Sequence, residues 1–443
     1  MIRLARPWSI LAAACACVAC GSGSAAQVPA SDAAVDTEAG AALDAGADAT
    51  GAVDAAPVDC NVPGLAPLRS CDLAAWPASA PVVAADLTTS SGVTSSSLTG
   101  KPFGLELSKD GAWLFVASGS GTTSAGNIAV YRRQGATATF DHAVALPPGN
   151  PTGIRLSHDG QTLAVCVSDQ VAFFDATKVQ TSVAGALLGT APTRSVKKTT
   201  IDVVFSADDR FVFTSLEYDA QVVVLDRATR AFVGAVPIGG DAITGLALSP
   251  DGARLYVVAE ASSEWRAHNP GGPKATDQVV GSVTVVDVAR AETDAAHGAL
   301  GHVFTGRAPV RIALSPDGNT AWVTARGANE VIAIDTTTML DDPDHALLGK
   351  VAVGPAPVGL AVVDHGTGLL VANSNRFLQP MASQTAMLVS VRGVAGGASM
   401  MVLGQVAVGS FPRDVVADDT AAFLSNFSSG SVSGFDLSKL PAP

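Results

Sequence analysis

The chain has 443 residues, with 27 Lys and Arg against 40 Asp and Glu, a formal net charge of −13. That acid excess excludes the basic face nucleic-acid recognition requires, while 48% hydrophobic residues supply ample core material. Beyond the N-terminal leader, no run approaches the roughly 20 uninterrupted apolar residues a membrane-spanning helix needs.

The chain opens on a processing segment. Arg3 and Arg6 form a positive n-region and Trp8 to Ala19 a short apolar h-region, the layout of an export signal. Cys20, after Val18-Ala19 and before Gly21-Ser22, resembles the bacterial lipobox, with Cys17 where that motif prefers Leu and Cys15 and Cys17 as competing sites. The resemblance implies lipidation at Cys20 and a tether in the cell envelope. Gly21 rather than Asp after the cysteine favours the outer membrane, facing periplasm or surface. Ordinary cleavage and secretion is the alternative.

Residues 21–59 are rich in Ala, Gly, Asp and Ser. Asp32, Asp36, Glu38, Asp44, Asp48, Asp54 and Asp59 supply seven of the thirteen net negative charges, with no Lys or Arg between Ser22 and Val58. Such composition buries too little to fold, and like charges extend it, so this stretch reads as a disordered acidic spacer. Residues 60–79 form a junction in which Cys60 and Cys71 bracket a Pro-containing loop. An oxidising compartment would let them pair, with two free thiols as the alternative. Cys166 falls inside an apolar strand and reads as an inert core residue.

From residue 80 to 443 one phrase recurs seven times. Its clearest copy runs Thr244 to Gly252, then Arg254 to Ala259, and after an insertion Ser282 to Asp287. It reads strand, tight turn, strand, loop, strand. The units begin near Lys101, Asn150, Thr199, Asp241, Ala308, Ala356 and Phe411. Repeats of about 40–50 residues built from short strands predict an all-β, seven-bladed β-propeller. The turns, such as Ser249-Pro250-Asp251-Gly252, carry hairpin chemistry rather than a cation site. The seventh unit ends in a short proline-rich tail, so its fourth strand must come from the N-terminal side, and Ala80–Leu87 is the expected closing strand.

Leu255-Tyr256-Val257-Val258-Ala259, Trp322-Val323-Thr324-Ala325 and Leu370-Val371-Ala372-Asn373-Ser374, with the preceding Ser-Pro-Asp-Gly, resemble the YVTN repeat. The resemblance covers almost all of residues 80–443. It implies an exported bacterial seven-bladed propeller, related in fold to lactonases of the 6-phosphogluconolactonase type. It is specific for fold and nearly silent on function.

In such a ring, the loop entering each first strand and the loop between second and third strands open on one face. Four repeats place Gly where the others place Asp202, Arg311 and Asp414, and Arg413 precedes the last. The second loop set adds Glu217, Glu260, Arg326, Asn373, Arg376 and Asn426, and an enlarged loop adds His268. Together these predict a polar pocket in which arginines donate to carboxylate or phosphate groups. The preferred reading is a monomeric binding or scaffolding propeller for a small anionic ligand, peptide or envelope protein. It touches membrane only through its anchor and needs no cofactor or metal, since the histidines show no ligand spacing. A lactone hydrolase with Asp202 or Glu260 as base is one alternative. An accessory subunit of a periplasmic dehydrogenase is another.

Overall fold

A computed structural model describes residues 79–442, except 81, 83, 88–93, 98–99, 120–125, 270, 272–277 and 376–383. The export signal, Cys20, Cys60, Cys71 and Arg376 lie outside the described residues.

Each predicted Ser-x-Asp turn forms as its chemistry dictates. In the first, Ser108 Oγ donates to Asp110 Oδ1 at 2.5 Å and accepts from Trp113 N at 2.9 Å. The same pair recurs at Ser157 and Asp159, Ser206 and Asp208, Ser249 and Asp251, and Ser315 and Asp317. Gly follows with positive φ at 111, 160, 252 and 318, whereas the third unit places Asp209 there at φ 57°. That left-handed geometry is costly for a residue with a Cβ. The Asp209 carboxylate offsets it by accepting from His158 N and Asp159 N of the preceding unit, each at 2.8 Å.

The hairpins assemble into seven four-stranded antiparallel sheets. Their innermost strands are Lys101–Leu107, Pro151–Leu156, Thr200–Phe205, Gly240–Leu248, Pro309–Leu314, Pro357–Val363 and Pro412–Ala417. Each packs on the next, and the first packs on the last, closing a ring. The chain is a seven-bladed β-propeller.

The near-continuous apolar runs follow from this stacking, because each blade is covered on both faces. Consecutive side chains serve different neighbours. Phe174 packs with Phe115 of blade 1, and Phe173 packs with Phe205 and Val212 of blade 3. Cys166 is buried among the latter group, and burial pushes its thiol up to about 12, so it is the inert core residue expected.

The ring is closed by N-terminal chain, but by a different segment from the one expected. Thr94–Ser97 pairs antiparallel with Ser431–Asp436 as the outer strand of blade 7. Ala80–Leu87 instead runs along neighbouring blades, where Val82 N donates to Val353 O at 3.0 Å. Farther along, Gln405 N donates to Ala85 O at 2.8 Å and Leu87 N to Gln405 O at 2.7 Å. An outer strand is held by backbone hydrogen bonds, so the polar run Thr-Ser-Ser-Ser serves. The apolar Leu87 settles on Gly404, where any Cβ would meet its Cγ at 2.5 Å. Inner contacts reinforce the seam: Ser425 Oγ donates to Phe103 O at 2.7 Å, and Leu105 N donates to Asp414 Oδ2 at 3.0 Å.

Where inner strands approach the axis, a Cβ on Gly153 would lie 2.7 Å from Ile201 O. Gly153→Ala is therefore expected to cost about 1–3 kcal/mol through forced backbone movement. Gly349→Ala, with nothing within 4 Å of the new carbon, is expected to leave the melting temperature nearly unchanged. Thermal unfolding of the two variants checks this.

Candidate functional site at the channel mouth

Each inner strand carries a register shift near the axis, between Pro102 and Leu105, Pro151 and Ile154, Thr200 and Val203, and equivalent positions in the other blades. The bulge re-aims the residues within it. Gly104, Gly153, Gly245 and Gly359 sit there, each so close to the next blade that a Cβ would fall 2.5–2.8 Å from a backbone oxygen. The glycines thus serve packing. Asp202, Arg311 and Asp414 occupy the corresponding place in blades 3, 5 and 7.

On the mouth side, five of the expected residues converge. Arg326 Nη2 lies 2.8 Å from Glu260 Oε2, with both side chains about 95% buried (exposures 4% and 5%). Burial raises the Glu260 carboxyl above its usual range, Glu217 adds to this, and Arg326, Arg413 and Arg311 oppose it. Burial likewise raises Glu217 against the pull of Arg413, Arg326 and Arg311. Three guanidinium groups therefore meet two carboxyl groups, each of which is reluctant to ionise. The Arg413 guanidinium is held against aromatic faces, 4.4 Å from the Phe103 ring centroid, 4.9 Å from Phe411 and 5.8 Å from Phe427. Such stacking fixes the orientation of a guanidinium.

A second charged group centres on Arg155. Arg155 stands 3.6 Å from Glu106 Oε2 and 3.9 Å from Asp202 Oδ1. Burial pushes Glu106 up to about 7, with Arg155 and the Leu156 and Leu107 amides opposing and Asp414 reinforcing the rise. Burial disfavours the Arg155 charge, but Asp202, Glu106 and Asp414 more than offset it, and its pKa is raised. Burial also raises Asp414 against Arg155 and Arg311. Asp202 accepts from Val203 N at 2.9 Å and, through its other oxygen, from Leu246 N at 3.2 Å. Arg311 is felt by both groups and so links them. Arginines and acids thus share the channel, with Asp202, Arg311 and Asp414 at equivalent positions of their inner strands.

Sequence reasoning missed Glu106 and Arg155. The signal was present two residues beyond the glycine position, where the other repeats carry Val204, Ala247, Ala313, Ala361 and Val416. Other expected residues turn elsewhere. Asn373 Nδ2 donates to Thr385 Oγ1 at 3.2 Å, and Asn426 Nδ2 to Ser431 Oγ and Ser433 Oγ at 3.2 and 3.0 Å, so both brace their own loops. His268 ends a short helix, Ser263–His268, with Nδ1 2.9 Å from Glu264 O. Trp265 of that helix is buried with Ala261, Val279, Val280 and Phe304, which fixes the insertion to blade 4.

Cavities of about 520 and 420 Å³ lie on the opposite face, one beside Val363, Asp419 and Leu440 and the other beside Phe173, Asp209 and Arg227.

No protein-family model matches the chain, and no curated protein matches it. Among solved structures it is similar to the hydrazine synthase of Kuenenia stuttgartiensis, with a TM-score of 0.57 at 17% identity over 77% of this chain and 96% of that one. At that identity the likeness extends to the propeller fold alone.

Two outcomes follow from the buried charges. Arg326→Met strands Glu260 without its closest cation and is expected to cost about 3–5 kcal/mol. Adding Glu260→Gln to it should recover much of the loss, as read by denaturant unfolding. Glu106 behaves oppositely to a paired carboxylate. Its folded pKa of about 7 stands above the reference 4.5, so the native state holds the proton more tightly and stability falls as pH rises between those values. Glu106→Gln should abolish that component. The variant should match the parent near pH 4 and exceed it in melting temperature at pH 8.

Proposed function

We propose that this propeller is an exported, envelope-anchored binding protein of the YVTN-repeat type, and that its channel mouth takes a small anionic ligand or the carboxylate of a peptide. The observation that carries the reading is the convergence of Arg311, Arg326 and Arg413 on Glu217 and Glu260. A cluster of arginines offers charge-assisted hydrogen-bond donors of the kind that recognise carboxylate and phosphate groups. The fold is consistent with a binding or scaffolding role, because propellers display loops on a rigid frame. Export and anchoring rest on the leader and on Cys20.

The hydrolase alternative draws less support. A general base needs a carboxylate free to reach a water. Both oxygens of Asp202 are engaged by backbone amides, and Glu260 is buried against Arg326.

Calorimetric titration of the purified protein with citrate, succinate and phosphate tests the proposal. At least one anion is expected to bind. Arg311→Gln should weaken that binding about tenfold or more, the scale of a lost charge-assisted hydrogen bond, and Glu217→Gln should strengthen it. Equal affinities in parent and Arg311→Gln would place the site elsewhere. Turnover of a lactone panel by the parent, lost in Glu260→Gln, would favour the hydrolase.

A further inference from the structure

The cavity of about 420 Å³ on the face away from the mouth lies between blades 2 and 3. Buried Phe173 and the exposed Leu188, on the outer strand Leu187–Pro192 of blade 2, give it an apolar side. Blade 3 supplies residues 208–210, 226–228 and Arg230. Most charges there are engaged within the protein. Arg227 Nη2 donates to Asp159 and Thr162, each at 2.8 Å, and the guanidinium lies 3.8 Å from Asp209. Asp226 accepts from Thr229 N and Oγ1 at 2.7 Å. Asp208 accepts from Ser206 Oγ at 2.7 Å, with the Arg210 guanidinium 3.9 Å away. Arg230 is different. Among the described residues its half-buried side chain has no hydrogen bond and no ion pair. Its backbone takes φ 59°, a conformation costly for a residue with a Cβ. Its side chain lies across Gly189 of blade 2, where any Cβ would meet Arg230 Nε at 2.7 Å and Cδ at 3.0 Å. A glycine on one blade and a strained arginine on the next thus hold a cation at the cavity.

We propose that this cavity binds a small monocarboxylate with an apolar body, Arg230 taking the carboxylate and Phe173 and Leu188 the hydrocarbon. The site is separate from the channel mouth and does not depend on it. A volume of about 420 Å³ falls within the range of small-ligand pockets, which pair apolar walls with a few placed polar groups. A guanidinium offers two parallel N–H donors that match the two oxygens of a carboxylate. The lining aspartates each have their own partners, so Arg230 is the group open to a ligand. Those same aspartates keep their negative charge, and like charges at close range repel. A second or third carboxylate on the ligand would meet them, so the site rejects polyanions.

Calorimetric titration of the purified protein with 3-phenylpropionate tests the assignment. Binding is expected, and the neutral 3-phenylpropionamide should bind about tenfold or more weakly, the scale of a lost charge-assisted hydrogen bond. Acetate, which keeps the carboxylate and lacks the ring, should also bind about tenfold or more weakly. Citrate should not compete. Arg230→Gly removes the guanidinium and suits the positive φ, so the variant should melt no lower than the parent yet lose the same tenfold in affinity for 3-phenylpropionate. Equal affinities for the acid and its amide, or in the parent and Arg230→Gly, would overturn the proposal. So would the absence of 3-phenylpropionate binding up to about 10 mM. Binding that Arg311→Gln abolishes and Arg230→Gly spares would put the ligand at the mouth and overturn it as well.

Discussion

Seven inner strands can share one axis only if the residue at their closest approach has almost no side chain or sends it into the channel. Gly104, Gly153, Gly245 and Gly359 take the first course, each abutting the backbone of the next blade. Asp202, Arg311 and Asp414 take the second. The bulge that permits close approach also aims these side chains at the axis. Packing and charge placement are therefore two results of one backbone distortion, and Asp202, Arg311 and Asp414 line the channel because three blades forgo glycine.

The network that results is held together from both sides. Hydroxyls carry the ring from blade to blade, as where Thr152 Oγ1 donates to Thr200 O at 2.7 Å and Thr244 Oγ1 to Val310 O at 2.8 Å. Apolar side chains alternate between the two neighbours of each blade. Ionisable groups are thus carried on a rigid frame, the condition under which buried charges keep fixed distances instead of relaxing. The two ionic groups differ in what surrounds them. Glu260 and Arg326 are sealed, whereas a third of the Arg155 side chain remains exposed (33%) within the channel.

The fold was legible because repetition averages over local ambiguity. A single Val-rich run is uninformative, but seven in phase, each after a Ser-x-Asp turn, leave few alternatives. Convergence of Glu217, Glu260, Arg311, Arg326 and Arg413 was legible for the same reason, since blade register converts a position in the repeat into a place on the ring. Ala80–Leu87 was expected to close the last blade because it precedes the first repeat with no partner of its own. An outer edge needs only backbone donors and acceptors, however, and Thr94–Ser97 supplies them. Asn373 and Asn426, at strand ends, bond close to their own loops, and His268 ends a short helix with Nδ1 beside Glu264 O. Glu106 and Arg155 hid inside strands, where charge is usually dismissed as outward-facing.

The two N-terminal pieces have a mechanical implication. Tension on the leading segment reaches the backbone bonds of Ser79, Val82 and Leu87 on blades 5 and 6 before it reaches the four-residue strand that seals blade 7. Force on the leading segment therefore loads blades 5 and 6 first and the closing strand of blade 7 last.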